Sequence, residues 1–411
     1  MPRLINPDRR KFLLRTAALG CSAAASPFVT PITLAAAPWD TRLVVIILRG
    51  GMDGLDVVRP VGDVDFGVHR PNLSTAGDAI NLDGYFAMNG HLGALAPMWQ
   101  AGELGFAHAV STPYRDKRSH FDGQDLLEAG TGMDVGIEAV RDGWLNRMLA
   151  QVPGVTAKTA FAVGREDMIL LNGDIPVSSW SPNARLDLSP QGKRLLEALY
   201  HDDPMFQEAG NTASELAEML DMGSESGVGE DGVSQEMMAS MQAAGKSARA
   251  RALARFAGER LNEDTRIAAF SIGGWDTHRA QANGIKRALG ELGDAFVTLK
   301  STLGSNWQKT AVIAMTEFGR TVRENGSSGT DHGTGGVMLM AGGAVRGGRV
   351  YGEWPGLGET ALYENRDLMP TGDVRGYAAH AMRGLFGLER SVLESSIFPG
   401  LDMGSDPRIL L

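Results

Sequence analysis

The stretch Arg42-Leu-Val-Val-Ile-Ile-Leu-Arg49-Gly50-Gly51-Met52-Asp53-Gly54 decides the fold class. Leu43–Leu48 is an unbroken aliphatic run with no polar alternation. That is the pattern of a strand whose two faces are both covered by other layers. A surface helix or an edge strand would show polar residues at its own period. The glycines that follow end the strand in a tight turn and present Asp53 at its carboxyl end.

Working outward, the same punctuation recurs. Gly90–Ala101 carries apolar residues at helical spacing, Leu104–Val110 reads as a second strand, and 111–118 as a loop. Ser119–Ala129 reads as a helix opening on Ser119, with Asp122 at the capping-box offset. Gly143–Leu149 and Thr159–Val163 add a helix and a strand. Residues 195–264 are mainly helical, interrupted by an acidic, Gly/Ser-rich stretch at 223–232, and read as an insertion or as covering helices of the same sheet. Ile267–Ile272, Thr310–Thr316 and Val337–Met340 are further strands, and Asp373–Leu388 is an amphipathic closing helix. Strand alternating with helix predicts an α/β, doubly wound, mostly parallel sheet with helices on both faces, formed by residues 38–411 as one domain.

Upstream of this, Asp8-Arg9-Arg10-Lys11-Phe12-Leu13, a weakly apolar Ala-rich stretch and Leu34-Ala35-Ala36-Ala37 have the order of a twin-arginine signal peptide over residues 1–37. This predicts a periplasmic or secreted protein. Arg15 and Pro27 interrupt the apolar run, so no permanent membrane anchor is expected. The single cysteine, Cys21, lies in that segment; a lipoprotein cleavage there matches poorly, and the exported chain is expected to lack thiols. A net charge of −10 leaves no basic stripe for phosphate backbones and argues against nucleic acid as a partner.

Function points to three acid and histidine clusters in the last third: Gly-Gly-Trp-Asp276-Thr-His278, Thr-Glu317-Phe-Gly-Arg320 and Gly-Thr-Asp331-His332-Gly. Two directly follow strands and the third lies in a Gly/Ser-rich loop. Ligands of open α/β sheets bind beyond the carboxyl ends of strands. Carboxylate with imidazole suits divalent ions such as zinc or manganese. Asp53, Asp276, His278, Glu317, Asp331 and His332 are therefore candidate ligands for one or two ions (zinc, manganese or calcium). Ser119 is a candidate nucleophile, since a helix N-terminus favours an alkoxide, although Ser is equally a preferred cap. His120 beside it is a candidate catalytic group. Arg49, Arg118 and Arg320 could clamp an oxyanion or pair with neighbouring carboxylates.

Arg49-Gly-Gly-Met-Asp53-Gly, Ser119-His120-Phe121, Gly-Gly-Trp-Asp276-Thr-His278, Thr-Glu317-Phe-Gly-Arg320-Thr, Asn325-Gly and Gly-Thr-Asp331-His332-Gly together resemble a bacterial exported family catalogued as domain of unknown function 1501. That family is grouped with the alkaline phosphatase and sulfatase superfamily. The resemblance implies an alkaline phosphatase-like sandwich with metal ligands at strand ends, in the order Asp53, Ser119, Asp276 with His278, and Asp331 with His332. The chain departs from the superfamily pattern in three ways. Asp276 and His278 stand two apart rather than four, Glu317 and Asp331 compete for one ligand role, and no last histidine is evident, His380 reading as structural. Ser111-Thr-Pro-Tyr-Arg115 also resembles the core that sulfatases convert to formylglycine. The implied function is metal-dependent hydrolysis of phosphate or sulfate esters, small or polymeric, by an activated serine or water. The alternative is a non-catalytic binding or assembly protein retaining the fold.

Overall fold

The computed structural model describes residues 39–115, 117–133, 142–164, 168–180 and 246–411. The signal segment, Cys21 and residues 195–245 of the helical block lie outside the described residues. Among those described, no helix is long and apolar enough to cross a membrane.

Strand β1 (Arg42–Arg49) is central to a nine-stranded sheet. It lies between β5 (Ile267–Gly273) and β6 (Thr310–Met315), parallel to both. The order is β8 (Val350–Tyr351), β2 (Leu104–Ser111), β7 (Gly336–Ala341), β6, β1, β5, β3 (Ala160–Val163) and β4 (Ser178–Trp180), with β9 (Gly372–Asp373) also paired to β2. All pairings are parallel except those of β7, which runs against both β2 and β6. The reason is its connection. β7 is reached through the loop after β6 with no crossover helix, so it starts at the edge where β6 ends and must run back. The fold is α/β with a mostly parallel sheet.

The uninterrupted aliphatic run of β1 is explained by two cores. Val44, Ile46 and Leu48 point into one, Leu43, Val45 and Ile47 into the other, and all six are fully buried. Each such side chain contributes roughly 1.5–3 kcal/mol of burial. The first core is covered by α3 (Lys246–Leu261) and α4 (Gln281–Leu303), whose Ile285, Ala288, Leu289, Leu292, Ala295, Phe296 and Leu299 form the helical stripe that meets the sheet. The end of the expected 195–264 block is thus a covering helix of this same sheet. The opposite core is covered by α2 (Trp144–Ala150), α5 (Val374–Phe386) and the Leu393–Met403 segment. Helices therefore flank both faces.

The pairing register places the site. Arg49 is level with Gly273, and Ile47 with Met315, so the loops after β1, β5 and β6 leave from one edge. β2 ends there too, since its Val110 meets Gly336, and its loop leads into α1 (His120–Ala129).

Candidate metal centre

Four segments converge at this edge. Ser119 caps α1, its Oγ accepting from the Asp122 N–H at 3.4 Å while Gly130 ends the helix in the left-handed region. His120 in the first turn thereby faces the sheet edge. The loop after β5 supplies Asp276 and His278, and the loop preceding β7 supplies Asp331 and His332. Gly50 and Gly51 sit at φ +121 and +62, and a Cβ on Gly50 would approach the Asp276 nitrogen to 2.7 Å, so the β1 turn can pass under Asp276 only as glycine.

Each imidazole turns its Nδ1 away from the centre toward an oxygen acceptor. His120 Nδ1 is 2.8 Å from Glu317 Oε1, His332 Nδ1 is 2.8 Å from the Arg118 carbonyl, and His278 Nδ1 is 3.2 Å from Asp331 Oδ1. Carbonyl and carboxylate oxygens only accept, so Nδ1 of His120 and of His332 carries a proton, whereas His278 faces a carboxylate oxygen with each of its two nitrogens. The three Nε2 atoms turn toward Asp276 Oδ1, at 3.0 Å for His278, 3.4 Å for His332 and 3.5 Å for His120. His278 and His332 bring their Nε2 atoms to 2.9 Å of one another. The His120 Nε2 is buried and makes no hydrogen bond. The donor atoms of His120, Asp276 and His332 all lie within 4.8 Å.

A tetrahedral ion with bonds of roughly 2.0–2.1 Å separates its ligands by about 3.3 Å, close to these spacings. The donor set fits a divalent ion. Three nitrogen donors suit zinc or manganese and do not suit calcium, which takes six or more oxygens.

The electrostatics favour a neutral ring at His332 and a protonated one at His120. Asp276 is held below the usual carboxylate range. Burial, the largest influence, raises it, but the Arg320 hydrogen bond and charge outweigh that. His332 is pushed down by burial and by the nearby Arg320, which favours the neutral ligand form. His120 is pushed up, chiefly by its hydrogen bond to Glu317.

Several expected residues stand behind the ligands or apart from them. Glu317 is fully buried, and its Oε1 accepts from Gly50 N, Gly51 N, His120 Nδ1 and Gln124 Nε2. It orients His120 and does not itself face the centre. Asp331 likewise orients His278 and accepts from Asn325 Nδ2 at 3.1 Å. Asp53 does not join the cluster. Its Oδ2 accepts from Arg70 at 2.7 Å and Gln281 at 2.6 Å, and its Oδ1 caps the helical turn Gly54–Val57.

The arginines differ from expectation as well. Arg320 is only 1% exposed and spends its guanidinium on the carbonyls of Gly50, Gly51, Trp275 and Thr330 and on Asp276 Oδ1 at 2.6 Å, leaving nothing for an oxyanion. Arg49 is engaged by Gln124 and Glu128. Arg118 touches the site through its carbonyl, and its half-buried side chain has an exposed Glu364 at 3.6 Å. Ser119 Oγ makes the capping bond described above. In the sulfatase-like stretch, the Ser111 hydroxyl is buried and donates to the Thr112 carbonyl. His380 Nε2 bonds the Met403 carbonyl on α5, as a structural histidine would.

Two residues were not anticipated. Gln124, one helical turn after His120, supports Glu317 and was readable from the i, i+4 spacing. Gln281, fully buried, donates to Asp53 and to Asp56 and accepts from Thr277 Oγ1 at 3.0 Å and Thr330 Oγ1 at 2.6 Å. It ties the two loops that carry Asp276, His278, Asp331 and His332 to the β1 turn, and nothing in its sequence neighbourhood signals that role.

The family described as "Protein of unknown function (DUF1501)" matches residues 100–375, more than half of the chain. No curated protein matches. Among solved structures, the chain is similar to a protein in the alkaline phosphatase superfamily from Vibrio parahaemolyticus, with 14% identity and a TM-score of 0.34, over 77% of this chain. It spans 64% of that protein's length, less than two thirds.

Proposed function

The chain belongs to the DUF1501 family, whose description assigns no activity, and we propose from the site that it is a metal-dependent hydrolase of phosphate or sulfate esters, exported to the periplasm. One observation carries the reading: the Nε2 atoms of three imidazoles converge on one carboxylate oxygen at the sheet edge. His120, His278, His332 and Asp276 would hold a single ion. Such an ion, when bound, supplies Lewis acidity toward an ester oxygen and lowers the pKa of a water.

The remaining roles belong to the chain. Glu317, Asp331 and the Arg118 carbonyl would orient the imidazoles with Nε2 toward the ion. Arg320 fixes the Asp276 carboxylate at its rim position. With Ser119 Oγ committed to its cap, water is the nucleophile we assign. Arg118 is the cation best able to swing toward a developing oxyanion, because its side chain is partly exposed and, among the described residues, has an exposed acid, Glu364, as its ion-pair partner. Asp276 and His278 are about half exposed, so the centre is open to a bulky or polymeric ester.

The test is to strip the full chain with a chelator, reload it with zinc or manganese, and screen aryl phosphate and sulfate esters. The expected result is about one ion per chain and ion-dependent hydrolysis, both lost in Asp276→Ala and His332→Ala. Full ion occupancy in either variant would overturn the assignment.

A further inference from the structure

His380 belongs to no part of the metal centre, yet it borders a second cleft. This cleft, of about 370 Å³, is lined by Arg346, His380, Arg383, Asp406, Arg408 and Leu411 together with neighbouring backbone. It forms where α5 meets the C-terminal segment, which is bound to the sheet edge by the Arg346 N–H to the Ile409 carbonyl and the Leu411 N–H to the Ala344 carbonyl.

Its charge pattern runs against that of the chain. The protein carries a net −10, but here three arginines line one small cleft. Among the described residues none of the three has a carboxylate ion-pair partner, and Arg346 Nε donates only to the Leu410 carbonyl at 3.3 Å. Asp406 does not neutralise them. Its Oδ1 accepts from the Arg408 backbone N–H at 2.7 Å and lies 3.6 Å from His380 Nδ1. Arginines outnumber acids three to one in this lining, and guanidinium forks match the oxygens of a tetrahedral anion.

The second observation is His380 itself. Its side chain is 3% exposed, and its Nε2–H donates to the Met403 carbonyl at 2.9 Å. Its Nδ1 is buried and makes no hydrogen bond. A buried acceptor without a donor is costly unless a ligand supplies one. A protonated phosphate has both halves of the required chemistry: oxygens for the arginines and a P–OH for Nδ1.

We infer that this cleft binds a phosphate group, either free or at the end of a small ester. The inference is independent of the metal reading, since none of these residues is bonded to the metal centre.

The experiment is calorimetric titration of the full chain with inorganic phosphate and, separately, with glycerol phosphate. The controls are Arg383→Gln/Arg408→Gln, both exposed positions, and Asp276→Asn. The expected result is one phosphate per chain, weakened at least tenfold in the double arginine variant and retained in Asp276→Asn; the tighter of the two ligands identifies the source. Absence of binding at millimolar phosphate, binding untouched by the arginine changes, or binding lost in Asp276→Asn would each overturn the site. Sulfate, which has no proton to donate at neutral pH, is expected to bind at least fivefold more weakly. Equal affinity would remove His380 from it.

Discussion

Glu317→Gln isolates the part of the metal centre that is electrostatic from the part that is merely steric. Glu317 Oε1 collects four donors: Gly50 N at 2.9 Å, Gly51 N at 3.0 Å, His120 Nδ1 at 2.8 Å and Gln124 Nε2 at 3.1 Å. A glutamine oxygen at the same position can accept from all four. Its NH2 then replaces Oε2 next to Thr316 Oγ1, which can accept from it while donating to the Leu48 carbonyl. Shape and hydrogen-bond count survive, and only the negative charge behind His120 is lost. Replacing charged hydrogen bonds by neutral ones costs about 1–2 kcal/mol of stability. Removing the anionic partner of a ligand imidazole lowers its basicity and typically costs 10–100-fold in metal affinity, about 1.4–2.7 kcal/mol.

The measurement is competition of zinc and of manganese between the protein and a chromophoric chelator, at fixed pH, with unfolding curves run in parallel. The expected outcome is a folded variant whose affinity falls by one to two orders of magnitude. An affinity within twofold of the native protein, with the fold intact, would refute the argument. In that case the Glu317–His120 pair would be a structural hydrogen bond with no ion in front of it.

Two further outcomes follow from buried groups. His108 is fully buried, donating Nε2–H to the Val58 carbonyl at 2.9 Å and accepting from the Ala109 N–H at 2.9 Å, and burial pushes its pKa down to about 4. The unfolded chain, titrating near 6.5, binds the proton more tightly, so this stabilisation is complete above roughly pH 6.5 and is lost as pH falls toward 4, by about 3 kcal/mol in all. Urea unfolding of His108→Gln should show a flatter pH dependence across that window; an unchanged slope assigns the acid sensitivity elsewhere. Gln281→Met keeps volume but deletes the bonds to Asp53, Asp56, Thr277 and Thr330, and should cost about 2–4 kcal/mol in denaturant unfolding. Metal affinity of the remaining folded protein should also drop several-fold, which a purely structural loss would leave unmoved.

Much of this architecture was legible because hydrophobic pattern alone demands it. Leu43–Leu48, Ile267–Ile272 and Thr310–Met315 are apolar on both faces, and each ends at a polar turn, so the shared edge followed from the pattern. The reversed direction of β7 was not legible, since Gly336–Ala341 is as apolar as its parallel neighbours and direction is set by the connection. At the site, the sequence displayed the right residue types without their partners. Asp53 looked like a ligand because its partner Arg70 stands 17 positions along the chain and Gln281 stands 228 away. Arg320 looked like an anion clamp because nothing local shows that its five donors meet four carbonyls and Asp276. His120, read as a catalytic side chain, sits among the ligand atoms because Glu317, from the far side of β6, turns its ring.

The proposed metal reading rests on the orientation of the imidazoles around Asp276. Asp276 already has its counter-charge in Arg320 at 2.6 Å, so it needs no histidine for neutralisation. Each ring turns Nδ1 outward, to Glu317, Asp331 or the Arg118 carbonyl, and Nε2 inward, toward Asp276. His120 is the ring most favoured to take a second proton, yet its Nε2 stays 3.5 Å from Asp276 and unbonded. The Nε2 atoms of His278 and His332, 2.9 Å apart, either share one proton or face one cation. On the proposed metal reading, these outward partners hold the three Nε2 atoms ready for one cation.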